Sequence, residues 1–119
     1  MYEFIKGEIK EITLAYVVIE TNNTGFFINI SLNTYSLLQE KKNCELLLHE
    51  VIREDAFILY GFAEKSEREV FRQLLSVSGV GANTACMMLS SLTAEELKNA
   101  IINSEVNTLK NIKGIGAKS

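Results

Sequence analysis

The chain has 119 residues, of which 47% are hydrophobic and 23% charged, with a formal net charge of −3. That balance suits one ordinary water-soluble domain or two small ones leaning on each other. No apolar run approaches the roughly 18 residues of a membrane span, and Glu3, Lys6 and Glu8 break up the N-terminus where a signal peptide would be apolar. Cys44 and Cys86 lie far apart, and His49, the single histidine, has no partner at ligand spacing. Two reduced thiols, a half-exposed histidine, no metal and no cofactor are expected.

Tyr2 to Ile12 is rich in β-formers, and Gly7 within it predicts a bend or bulge. Leu14 to Thr21 reads as a second strand, Asn22-Asn23 as a turn, and Gly25 to Ile30 as a third strand with Phe27 on the face opposite Phe26 and Ile28. Ser31 to Gln39 reads as a turn or short helix, and Lys41 to Asn43 as a polar loop. Cys44 to Arg53 and Ala56 to Phe62 are the fourth and fifth strands, joined by a short turn at Glu54 and Asp55. Five strands with one helical piece between the third and fourth is the order of an OB-fold barrel, although another small five-stranded barrel would read similarly.

After Phe62 the period changes from 2 to 3.6. Ser66-x-x-Glu69 reads as a capping box ahead of Val70, Phe71, Leu74 and Leu75, and Thr93-x-x-Glu96 as another ahead of a helix reaching Ile102. Between them lies a helix from Asn83 to Ser91, with Ala85 small enough for close packing and Met87 and Met88 as core filler. A fourth helix is predicted over Ser104 to Asn111. The expected domains are therefore a mainly β barrel over residues 1–62 and an all-α region over 63–119. The chain has no proline and no flexible linker at the junction, so the two should be in contact.

One pattern occurs twice. Leu74, Val77, Gly79, Val80 and Gly81 recur in spacing as Leu109, Ile112, Gly114, Ile115 and Gly116. In each copy a helix stops at a Gly-x-Gly turn and another begins. Glycine permits close approach of a ligand, and the first amides of the next helix point outward toward an anion. This describes a pair of helix-hairpin-helix elements gripping phosphates through the main chain; the alternative is two helical corners that only pack a bundle. The candidate contacts are Ser78, Gly79, Val80, Gly81, Ala82, Asn83 and Thr84 in the first copy, and Lys113, Gly114, Ile115, Gly116, Ala117 and Lys118 in the second. Net charge at first argues against nucleic acid, but its distribution does not. Residues 1–62 carry −4 and residues 63–119 carry +1, and the last fourteen residues hold Lys110, Lys113 and Lys118 without an acid. No Walker lysine motif, carboxylate–histidine set or metal cluster supports catalysis.

Three stretches resemble the RuvA family: Arg53 to Phe62 (REDAFILYGF), Gly25 to Tyr35 (GFFINISLNTY) and Glu67 to Gly81 (EREVFRQLLSVSGVG). The resemblance implies an OB-fold domain that assembles four subunits, a second domain with two helix-hairpin-helix elements, and a third domain that contacts the RuvB ATPase. It also implies a bacterial cytoplasmic protein that binds four-way (Holliday) junction DNA in branch migration, recombination and repair, works beside the RuvC resolvase, and forms a homotetramer or octamer. Glu54 and Asp55 match the family's acidic pin at the junction centre. Asn83 stands where the family often has lysine, whereas Lys118 matches a basic position. The second hairpin expects a helix beyond Ser119, so a fragment lacking the third domain is expected. A duplex-anchoring module of a nuclease or repair complex, or a plain oligomerisation domain, are the other readings.

Overall fold

The computed structural model describes residues 2–92, 95–97 and 99. They fall in two compact units divided between Arg68 and Glu69.

The first unit is a closed five-stranded barrel. Its strands are β1 (Phe4–Ile12), β2 (Tyr16–Thr21), β3 (Thr24–Asn29), β4 (Asn43–Arg53) and β5 (Ala56–Phe62), in the order β1-β2-β3-β5-β4. All neighbours are antiparallel except β3 and β5, which run parallel through Ile28↔Leu59 and Asn29↔Tyr60. Helix α1 (Leu32–Leu38) lies between β3 and β4 in sequence, which completes the expected OB order and settles Ser31 to Gln39 as a helix. Ser31 is its N-cap, accepting from the Thr34 amide at 3.2 Å.

Period-2 alternation sends Val17 and Ile19 of β2, Ile28 of β3 and Leu46 and Leu48 of β4 inward, where they meet Ile5, Ile30, Leu38 and Leu59. Phe27 faces outward, stacked on Tyr16 with ring centroids 4.4 Å apart. The β2–β3 hairpin turns at Asn22 and Asn23, both at positive φ (51° and 64°), the conformation a tight two-residue hairpin needs and asparagine tolerates.

The bulge in β1 is not at Gly7. Register shifts between Ile9↔Ile19 and Glu11↔Val18, leaving Lys10 as the extra residue. Its ammonium is taken up by Glu8 at 3.3 Å and Glu20 at 3.1 Å. Gly7 answers a different need: β1 passes close to β2 there, and a Cβ would sit 2.3 Å from the Glu20 carbonyl oxygen and 2.9 Å from Ile19 Cγ2. Both obstacles are rigid. Gly7→Ala should therefore destabilise the chain by about 1–3 kcal/mol, the usual range for forcing atoms into a packed site, read as a lower urea midpoint with unchanged slope.

Helix α2 (Lys65–Leu75) crosses the division between the units, and α3 (Ala82–Ser91) belongs to the second. α2 begins at Lys65, so Ser66 lies inside the first turn and does not cap it; the Arg68 amide reaches back to the Glu64 carbonyl at 3.3 Å. Val70, Phe71 and Leu74 form the buried face of α2, as their spacing predicts, and Ala82, Ala85, Met88 and Leu89 that of α3. Met88 is core, but Met87, one residue and about 100° round the helix, is exposed. Glu95, Glu96, Leu97 and Asn99 are helical, and Leu97 is buried. The Thr93 cap, the helix over Ser104 to Asn111 and the whole second hairpin lie outside the described residues.

Candidate nucleic-acid interface

Between α2 and α3 the chain winds down in short steps. The Ser76 amide donates to the Gln73 carbonyl (3.1 Å), Val77 to Leu74 (3.0 Å) and Val80 to Val77 (3.2 Å). Gly79 then takes φ 84°, a left-handed conformation that glycine enters without the Cβ clash of other residues. Val80 turns inward and is buried. It anchors the turn from below, with its own amide held by Val77, while Ser78, Gly79 and Gly81 stay exposed.

Gly81 is the N-cap of α3 at φ −91° and ψ 176°, and no side chain caps the helix. The first helical bond is Ala85 N–H to the Gly81 carbonyl at 2.9 Å. The amides of Ala82, Asn83 and Thr84 precede it, so helix geometry gives them no acceptor within α3. A Cβ built on Gly81 would meet nothing within 4 Å. The backbone conformation there is also open to any residue, so neither sterics nor dihedral angle calls for glycine. What glycine leaves at residue 81 is open approach to the amides behind it. Ala82 packs inward, Asn83 is exposed and Thr84 half-buried. The sequence-predicted contacts of the first hairpin thus divide in two: Val80 and Ala82 hold the turn in place, and Ser78, Gly79, Gly81 and Asn83 face outward.

Glu54 and Asp55 form the two-residue turn between β4 and β5, closed by the pair Arg53↔Ala56. Both are exposed, and neither has positive φ. Just below them Ile52 and Phe57 are paired across the strands and lie 68% and 54% exposed. The Tyr2 ring stands edge-on to Phe57, with centroids 6.5 Å apart, and to Phe26 at 6.1 Å. Doubly acidic and flanked by uncovered apolar rings, this tip is chemically unlike the glycine turn. His49 sits half-buried on β4 opposite Tyr60. Cys44 is half-buried too, and burial pushes its thiol up to about 11. Among the described residues no group of three His, Cys, Asp or Glu side chains could hold a metal ion, and no helix is long and apolar enough to cross a membrane.

Sequence reasoning did not identify Glu67 and Arg68 as a buried polar pair. Both were legible only as polar residues of an amphipathic helix; their partners are 20 to 65 residues away in the chain.

An OB-like closed barrel followed by a helix, an open glycine turn and a helix defines a class: a small-barrel protein carrying a helix-hairpin-helix element. The comparisons narrow it. The profile of the RuvA N terminal domain matches residues 1–61, and that of the SAM-like helix-hairpin-helix tandem matches residues 71–119. The chain belongs to the RuvA family. Proteins named "Holliday junction branch migration complex subunit RuvA" from Bacteroides thetaiotaomicron, Bacteroides fragilis and Christiangramia forsetii are 55%, 56% and 51% identical to it over 119 residues, the whole of this chain. They are longer: the chain spans 59%, 59% and 62% of their lengths.

Proposed function

We propose that this chain is a non-catalytic, DNA-binding subunit that recognises four-way junctions and, with the RuvB ATPase, supports branch migration in recombination and repair. The observation that carries the reading is the open turn at Gly79–Gly81, with the unpartnered first amides of α3 behind it, in a chain whose relatives are named for the Holliday junction. Backbone amides and a helix dipole suit phosphate oxygens and read no bases, so binding follows junction shape and salt rather than sequence. Residues 63–119 are the DNA-binding region. Residues 1–62 are the assembly region, whose exposed Ile52, Phe57 and Tyr2 suit contact between copies in a homotetramer or octamer. Glu54 and Asp55 act as the acidic pin. Contact with RuvB would run through a further domain, RuvC would meet the same junction, and the setting is the bacterial cytoplasm.

A gel-shift comparison of a four-way junction with linear duplex of the same sequence tests this. Junction preference that weakens steeply with salt is the expected result. Equal affinity for both would point to a duplex-anchoring module, and no binding at moderate salt to an oligomerisation domain.

A further inference from the structure

The barrel end of α2 holds a buried polar joint that phosphate contact does not use. Glu67 is 2% and Arg68 5% exposed. As helix neighbours they point about 100° apart, toward different parts of the barrel. The Glu67 carboxylate accepts from the Ser31 hydroxyl at 2.8 Å through Oε2, and from the Thr34 hydroxyl at 2.7 Å through Oε1. Each hydroxyl in turn accepts a backbone amide: Ser31 Oγ that of Thr34 at 3.2 Å, and Thr34 Oγ1 that of Ala63 at 3.3 Å. Both chains of donors therefore run from amide to hydroxyl to carboxylate. A group that only accepts, an ionised carboxylate, completes both. Arg68 works on the other side. Its Nη1 donates to the carbonyls of Glu3 (3.1 Å) and Leu48 (3.3 Å), and its Nη2 to the Glu3 carboxylate at 2.7 Å. Its Nε is buried without an acceptor.

Such a joint is a poor way to gain stability. Buried charge must be desolvated, and well-packed apolar residues often serve as well or better. Burial pushes the Glu67 carboxyl above its ordinary range; hydrogen bonds from Thr34, Ser31 and Asn33 pull it back, and the nearby Glu64 carboxylate adds to the rise. A raised folded-state value means that the stability Glu67 contributes is fully present below the unfolded carboxyl's value and is lost as pH rises through the folded one. At neutral pH the ionised side chain thus costs stability that a neutral isostere would not. What directional bonds to α1, β1, β4 and the end of β5 do supply is a fixed orientation.

We propose that Glu67 and Arg68 are positioning residues, locking the first turn of α2 onto the barrel and so fixing the direction in which this helix leads to its glycine turn. The consequence for DNA rests on the function proposed above; the joint itself does not.

The test uses the full chain with Cys44→Ser and Cys86→Ser, spin-labelled at Glu45→Cys on β4 and Gln73→Cys on α2, and diluted with unlabelled protein. A narrow distance distribution is expected for the otherwise native chain. Thr34→Val, nearly isosteric but without the hydroxyl, and Glu67→Ala should broaden it. Glu67→Gln, which keeps one acceptor, should fall between them while its melting temperature at neutral pH holds or rises and loses part of its pH dependence. A purely stabilising pair would instead move the melting temperature and leave the distribution narrow. Native-width distributions in folded Thr34→Val and Glu67→Ala would overturn the proposal, and Thr34→Val decides alone if Glu67→Ala does not fold. In gel shifts the broadened variants should lose about tenfold in junction-over-duplex preference, the equivalent of one charge-assisted hydrogen bond, while keeping duplex affinity. If the native chain shows no junction preference, the DNA reading fails and the distance measurement still decides the joint.

Discussion

Gly81→Ser should hold or slightly raise the melting temperature while costing about 10- to 100-fold in affinity for DNA of every sequence. The two effects separate because the site separates them. Gly81 is the N-cap of α3 at a φ and ψ that serine adopts freely, with no side-chain cap at present and empty space around a Cβ. A serine hydroxyl would accept from one of the open α3 amides, which favours the helix by a few tenths of a kcal/mol over glycine. The same hydroxyl takes that amide from a phosphate and places atoms in its path. A hydrogen bond to a charged group contributes about 1.5–3 kcal/mol, which converts to the stated loss. Because the lost contacts are to phosphate, junctions and duplexes of any sequence should weaken alike. Gly79 makes a less clean test, since φ 84° would strain any other residue and damage to the turn would mix with loss of contact. Thermal melts and fluorescence-anisotropy titrations on the same samples measure both quantities. Unchanged affinity in a stably folded Gly81→Ser chain would reduce the turn to a helical corner.

Glu54→Gln with Asp55→Asn should tighten binding to linear duplex by about tenfold at low salt and erode the preference for junctions. Two like charges on an exposed two-residue turn do nothing for the turn, and they repel the backbone of any nucleic acid. In an assembly of four copies the β4–β5 tips would gather about one axis, bringing all their carboxylates together. A carboxylate and a phosphate about 8 Å apart in water repel by about 0.5 kcal/mol, and several such pairs at one centre sum to the predicted effect. The penalty falls on duplex laid across the centre, whereas strands that part there avoid it. Specificity arises by penalising the wrong ligand. Screening gives the effect a signature: with a Debye length of about 8 Å at physiological ionic strength, the difference between native and variant should shrink as salt rises. Sedimentation of the variant establishes that assembly survives the change. Weaker binding to both DNAs, or an unaltered junction-to-duplex ratio at low salt, would remove the pin role.

The sequence by itself determined the parts that depend on near neighbours. Alternation placed Val17, Ile19, Leu46 and Leu48 inside the barrel, because side chains two apart on a strand share a face whatever the strand pairs with. The 3.6 period did the same for Val70, Phe71 and Leu74. The spacing around Gly79 and Gly81 marked the turn because a helix that stops and restarts within six residues needs a residue free to take φ 84°. Tertiary structure decided everything that depends on which strand lies beside which. Gly7 looks like a bulge in isolation, but its identity follows from Glu20, thirteen residues on, whose carbonyl leaves no room for a Cβ; the bulge falls on Lys10, where β1 slips past β2. Glu67 reads as one more exposed charge on an amphipathic helix until the barrel folds and brings Ser31 and Thr34 to within 2.8 Å of its oxygens. Nothing within four residues of Glu67 carries that information, since the contact that gives it meaning is made by closure of the chain rather than by local conformation.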